Sequence, residues 1–183
     1  MTGVSHRQFG YAWAAGAAVV MSPFWGLMGC VALFVGVRPG STAPDWLEFG
    51  LIKHRTLTHL PWLWVLMYAV SVSMVSHYDV GVFVSCLITG FCIGAISHLV
   101  GDIGTPMGVP LFSPSKRYSL RMWRTGQPSE KIPIFVAWLV VGLLALLRFH
   151  LAPDGWDDFM LSSERFIASS KEWLLQEIRT PFI

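Results

Sequence analysis

Three short polar segments of this chain carry side chains that could do chemistry: Pro44-Asp45, His54-Arg55-Thr56-Leu57-Thr58-His59, and His98-Leu99-Val100-Gly101-Asp102. Histidine and aspartate supply the nitrogen and oxygen donors that bind zinc and similar divalent ions. An ion held by such donors activates water and polarises a scissile bond, so the donor set points to metal-dependent hydrolysis. Each segment lies at the end of a hydrophobic run, where an ionisable group is a functional candidate by default. The chemistry requires the three segments to converge.

The elements that must bring them together are membrane helices. Of 183 residues, 54% are hydrophobic and 13% are charged. The mean hydropathy is +0.54. Soluble domains carry about 25% charged residues, so the composition excludes an ordinary soluble enzyme and predicts an all-α integral membrane protein. The length fits one domain, residues 1–183, with no room for a second. Membrane lipids are the expected surroundings, and nucleic acid is not an expected partner.

The apolar runs are Gly10 to Val37, Leu60 to Ser76, Val80 to Val100 and Ile132 to Leu147. The last three approach the roughly 17 to 25 residues of a membrane-crossing helix. The first is too long for one ordinary span, and Ser22-Pro23 near its middle removes a backbone donor and disfavours helix at the preceding residue. It therefore reads as a hairpin of two short helices, His6 to Met21 and Pro23 to Val37. Little positive charge precedes this run, so it is taken as membrane structure and not as a cleaved signal. The predicted architecture is this N-terminal hairpin, three further spans, and a C-terminal amphipathic helix over Trp156 to Ile178 lying on the membrane or the bundle.

This topology returns His6, the Asp45 to His59 loop and the Asp102 to Lys131 loop to one face. That face also holds Arg7, Arg38, Lys53, Arg55, Lys116, Arg117, Arg121, Arg124 and Lys131, and the positive-inside rule then makes it cytoplasmic. On the third run, Gly90, Gly94, His98 and Asp102 recur every four residues and form one helical stripe. Its small residues admit a neighbouring helix, and its end presents two candidate ligands. His54 and His59 are five apart, a spacing that points them in different directions on a regular helix. A loop and helix start suit them better, with Thr58 as N-cap and Pro61 in the first turn.

Other conspicuous residues take plainer roles. Trp62, Trp64, Trp123 and Trp138 are expected in aromatic belts, and His77 and His150 on the far face. Cys30, Cys86 and Cys92 lie in apolar runs without Cys-x-x-Cys spacing and read as core.

Taken together, Pro44-Asp45, His54-Arg55 with Thr58-His59, and His98 with Asp102 resemble the YdjM-like bacterial inner-membrane metal-dependent hydrolases. Thr105-Pro106, Gly108-Val109-Pro110-Leu111 and Pro114 extend the resemblance, which runs from Ser5-His6 to about Glu130. It implies a multi-helix protein of the bacterial inner membrane with hydrolase chemistry. His6 matches a family histidine near the N-terminus, and Glu130 an acidic residue before the last span. Where the family commonly has Pro-Asp-x-Asp-His, this chain has Leu47 and Glu48, so a binuclear site would need Glu48 as a substitute ligand.

On this reading His6, Asp45, His59, His98 and Asp102 are the metal ligands, more than a four-coordinate zinc needs, so at least one supports the others from behind if a single ion binds. Glu130 or His54 is the general base. Arg55, Lys116, Arg117, Arg121 and Arg124 bind an anionic substrate, a phosphoester or lipid at the membrane surface. The alternative is a non-enzymatic membrane protein with a structural metal site or a partner-binding role.

Overall fold

Each apolar run of the sequence folds as a helix in the computed structural model, which describes residues 1–48, 55–77, 81–151 and 155–179. In chain order the helices are α1 (Gly3–Gly40), the single turn α2 (Ala43–Trp46), α3 (Pro61–His77), α4 (Val82–Ile103), α5 (Lys131–Leu146) and α6 (Gly155–Arg179). Tight turns at Leu57–His59 and Pro128–Glu130 precede α3 and α5. Between α4 and α5, β1 (Val109–Pro110) pairs antiparallel with β2 (Arg117–Tyr118), a ribbon the sequence reading did not anticipate. Among the described residues, three stretches are long and apolar enough to cross a membrane, Gly3–Trp46, Val82–Ile103 and Pro128–His150, and Pro61–Ser71 is a shorter apolar helix.

Gly26 breaks α1, with φ 58° and ψ −173°. The sequence places the break at Ser22-Pro23, four residues earlier. Proline removes one donor and bends a helix, whereas a left-handed φ with extended ψ is open to glycine almost alone, so the break falls on the nearest glycine. The segments on either side of it pack together. Tyr11 and Phe34 stack with ring centroids 6.2 Å apart, Ala14 shares a core with Leu33 and Val37, and a Cβ added at Gly10 would stand 3.0 Å from that of Ser41. In a straight helix residues 10 and 41 would be about 45 Å apart.

Backbone groups freed at the break are met by α6. Ser162 Oγ donates to Ser22 O at 3.0 Å, and Leu27 N donates to Ser163 Oγ at 3.1 Å. Such partners matter in an apolar setting, where an unpaired peptide group costs several kcal/mol.

Helix α4 is the axis of the bundle, and α1 approaches it through interlocked glycines. A Cβ at Gly90 or Gly94 would collide with the α1 backbone at Leu33 or Val37, and one at Gly36 or Gly40 would collide with α4 at Leu87 or Phe91. This contact fixes the depth at which the end of α1 meets the end of α4. Next to it Ala43, Trp64, Ala95 and Leu99 form a buried core. Trp64 is therefore packing and not belt: it is 1% exposed, and its indole donates to Thr58 O at 2.8 Å, holding the turn that carries His59. Trp62 and Trp138 are exposed, as a belt requires, and Cys86 and Cys92 are buried.

Candidate metal centre

The last turns of α4 present His98 and Asp102 four residues apart, and both are buried. His98 Nδ1 lies 2.8 Å from Ser41 O. A carbonyl only accepts, so the proton of a neutral His98 is on Nδ1 and the lone pair is on Nε2. That Nε2 is 3.4 Å from Asp45 Oδ1 and 3.6 Å from Asp102 Oδ2. It is buried and makes no hydrogen bond among the described residues. A lone pair facing two carboxylates is repulsive unless a proton or a metal cation lies between them, so the donor chemistry fits an ion.

Two more histidines face the same space. His59, on the turn before α3, has Nε2 3.4 Å from Asp45 Oδ1 and 3.8 Å from Asp102 Oδ2. Behind it Glu48 Oε1 is 3.2 Å from Nδ1 and accepts from Thr58 Oγ1 at 3.0 Å and from Arg55 N at 2.8 Å. Burial holds the His59 imidazole below its ordinary pKa, which favours the neutral form a metal requires. From α1, His6 stacks on His98 with centroids 3.6 Å apart, and its Nε2 is 3.2 Å from Asp102 Oδ1.

The donors thus form two sets that share His98. One is His6, His98 and Asp102; the other is Asp45, His59 and His98; within each, the donor atoms lie within 4.8 Å of one another. The first is fully buried, whereas the Asp45 side chain is 42% exposed. Asp102 is also engaged by cations of the chain itself. Its Oδ1 is 2.5 Å from the Met1 amino group and its Oδ2 2.6 Å from Arg55 Nη2.

The structure brings together all five residues expected as ligands, His6, Asp45, His59, His98 and Asp102. The other expected site residues are dispersed. Arg55 is buried, and its guanidinium also donates to Thr105 Oγ1 at 2.9 Å and Gly108 O at 3.2 Å, so it faces the centre and not the surface. Glu130 is buried and accepts from Thr2 Oγ1, Ser5 Oγ and Gly126 N at 2.8, 2.5 and 2.9 Å, tying the start of α1 to the loop before α5. Lys116, Arg117, Arg121 and Arg124 are exposed on the loop between α4 and α5. His54 lies outside the described residues.

Several supporting residues escaped the sequence reading. Ser41 contributes only a carbonyl, which has no signature in the side-chain pattern. Thr105 accepts from Arg55 and donates to Asp102 O at 2.8 Å, and its place in the motif was the one available signal. Trp123, expected in a belt, donates its indole proton to Gly101 O at 3.0 Å.

A helical bundle with three apolar crossing-length stretches and a buried histidine and aspartate cluster at one end defines a membrane protein with a candidate metal centre. The family model for YdjM inner membrane proteins matches residues 1–156, and the chain belongs to that family. Its apolar helices agree with an inner-membrane location. Comparison with curated proteins and with solved structures finds no match.

Proposed function

We propose that the protein is a membrane-bound metal-dependent hydrolase acting on a phosphoester or lipid-like anionic substrate at the membrane surface. The observation that carries this reading is His98, whose Nδ1 is committed to Ser41 O while its buried Nε2 faces Asp45 and Asp102. Zinc suits the mixed nitrogen and oxygen donors, and a divalent ion there supplies a Lewis acid and a water that is nucleophilic at neutral pH.

The roles of the chain's own residues follow from their surroundings. Asp45 is the exposed member of the cluster, so substrate approaches from its side. Glu48 acts from behind, orienting His59 as carboxylates commonly orient metal-binding histidines. Arg55 balances Asp102 and does not gather substrate; that task falls to Lys116, Arg117, Arg121 and Arg124. Because Glu130 is engaged by Thr2, Ser5 and Gly126, His54, adjacent to Arg55 in the chain, is the better general base.

In the membrane, the two halves of α1 cross as a hairpin, α3, α4 and α5 make three further crossings, and α6 lies along the opposite surface. The excess of lysine and arginine at the site end makes that end cytoplasmic.

The test is hydrolysis of a phosphodiester or phospholipid by purified protein before and after chelation. Activity should disappear on chelation, return with zinc, and remain absent from His98→Ala after zinc is restored. Arg117→Gln should raise KM at unchanged metal content. Activity that survives proven removal of the ion sinks the hydrolase reading. One observation favours a structural cluster without catalysis: Asp102 already has two cationic partners within the chain. On that second reading the wild type is stable without metal, and zinc leaves its melting temperature unmoved.

A further inference from the structure

A cleft runs down the outside of the bundle between the first half of α1 and α5. Met122 and Trp123 line it at the site end, Ala12, Gly16 and Ala137 further along, and Leu144 at the far end. Its lining is almost wholly apolar. From Ile132 to Leu144, α5 advances about 18 Å, enough to pass through one leaflet, roughly half of the 30 Å hydrocarbon core.

At the site end, the apolar cleft shares Met122 and Trp123 with a polar one lined also by Pro106, Arg121, Arg124 and Ser129. Arg121 and Arg124 are exposed, and neither forms an ion pair among the described residues. Glu130, in the same loop, is taken up by Thr2, Ser5 and Gly126. The loop is clamped on both sides of Arg121, with Leu120 N donating to Ile103 O and Met122 N to Gly104 O, each at 2.8 Å. Arg121 is thereby held at φ 53°, a conformation that opposes an L side chain. Two guanidinium groups without an ion pair among the described residues thus stand beside an apolar cleft.

We propose that these two adjoining clefts together bind one lipid with an anionic phosphate headgroup, the phosphate on Arg121 and Arg124 and an acyl chain along Ala12, Gly16 and Ala137. Guanidinium groups match phosphate oxygens in charge and geometry. The apolar continuation below them selects a lipid over free phosphate. Phe9 and Trp123 wall the cleft and belong with Met1 to one apolar cluster, and His6 is not among the lining residues. The inference rests on the proposed function only for the loop's attraction of anions, and lipid binding needs no metal.

Native mass spectrometry of the whole chain, released from nanodiscs of equal parts phosphatidylglycerol and phosphatidylcholine, reads bound lipid and bound metal in the same spectrum. The wild type should retain phosphatidylglycerol over phosphatidylcholine by roughly tenfold, as expected for charge-assisted contacts to two arginines. Arg121→Gln with Arg124→Gln should remove that preference. Gly16→Leu should reduce retention of both lipids, since a Cβ there meets only Val141 and Leu144, at 3.7 and 3.9 Å, leaving room for a side chain to enter the cleft. Glycerophosphoglycerol, which lacks acyl chains, should not displace the lipid. Equal retention of the two lipids by the wild type, a preference unchanged in the double variant, or displacement by the acyl-free headgroup would each overturn the proposal. Metal without lipid preference contradicts the lipid site alone, and lipid preference without metal supports the lipid site while contradicting the metal centre.

Discussion

The two ends of the bundle treat charge in opposite ways. Where α4 finishes, His6, His59, His98 and Asp102 are buried around the half-exposed Asp45. Where α5 finishes, Arg148 and Asp158 pair at 2.9 Å while remaining 23% and 47% exposed. An exposed pair contributes roughly 1 kcal/mol or less, and such charges can sit anywhere water reaches them. Burying ionisable groups costs several kcal/mol each unless they are paired, so a chain that buries these four at one end holds them there by specific contacts. The same contrast divides the site itself, since Asp102 is enclosed by cations whereas Asp45 opens outward.

The largest expected effect breaks that inner contrast. Asp102→Asn leaves the Met1 amino group and Arg55 buried without their carboxylate, and should destabilise the fold by about 3 to 5 kcal/mol. Denaturant unfolding of the purified protein measures it. Asp45→Asn removes the more exposed carboxylate and should lower metal occupancy with little loss of stability, as read by metal analysis beside the same unfolding curve. Equal losses of stability from the two changes would erase the distinction between an enclosed and an open acid.

Smaller effects sharpen it. Glu48→Gln keeps an oxygen near His59 but removes the charge behind it, and should weaken metal affinity on the order of tenfold, measured by competition with a zinc chelator. At the far end, Arg148→Gln should shift stability by about 1 kcal/mol or less and leave bound metal unchanged. A far-end change that removed metal would show that the two ends are coupled through the bundle and cannot be assigned separate roles.

Much of this arrangement could be read from the chain, and the parts that could not have physical causes. The convergence of Asp45, His59, His98 and Asp102 follows from apolar runs that each end in donors, because run length and charge position survive any detail of packing. The break in α1 was misplaced by four residues because proline advertises a lost hydrogen bond, whereas a chain break needs the φ that Gly26 permits. The engagement of Arg55 by Asp102, and of Glu130 by Thr2 and Ser5, depends on which side chain is near which in three dimensions, and residue type alone assigns an exposed cation and a free base. Trp64 and Trp123 misled for a related reason. A tryptophan near a helix end suits a membrane interface, yet it also suits a buried carbonyl such as Thr58 O or Gly101 O.

The central claim is that the buried end of the bundle holds a divalent ion through His98, the residue common to both donor sets. Its most direct test is the metal content of purified wild type and His98→Ala after equilibration with zinc and removal of excess. The account predicts zinc bound to the wild type in fixed stoichiometry at pH 7, released as acidification protonates the imidazoles, and lost from His98→Ala. Wild-type protein that folds and retains no zinc or other divalent ion, or His98→Ala that binds as much as the wild type, would contradict it.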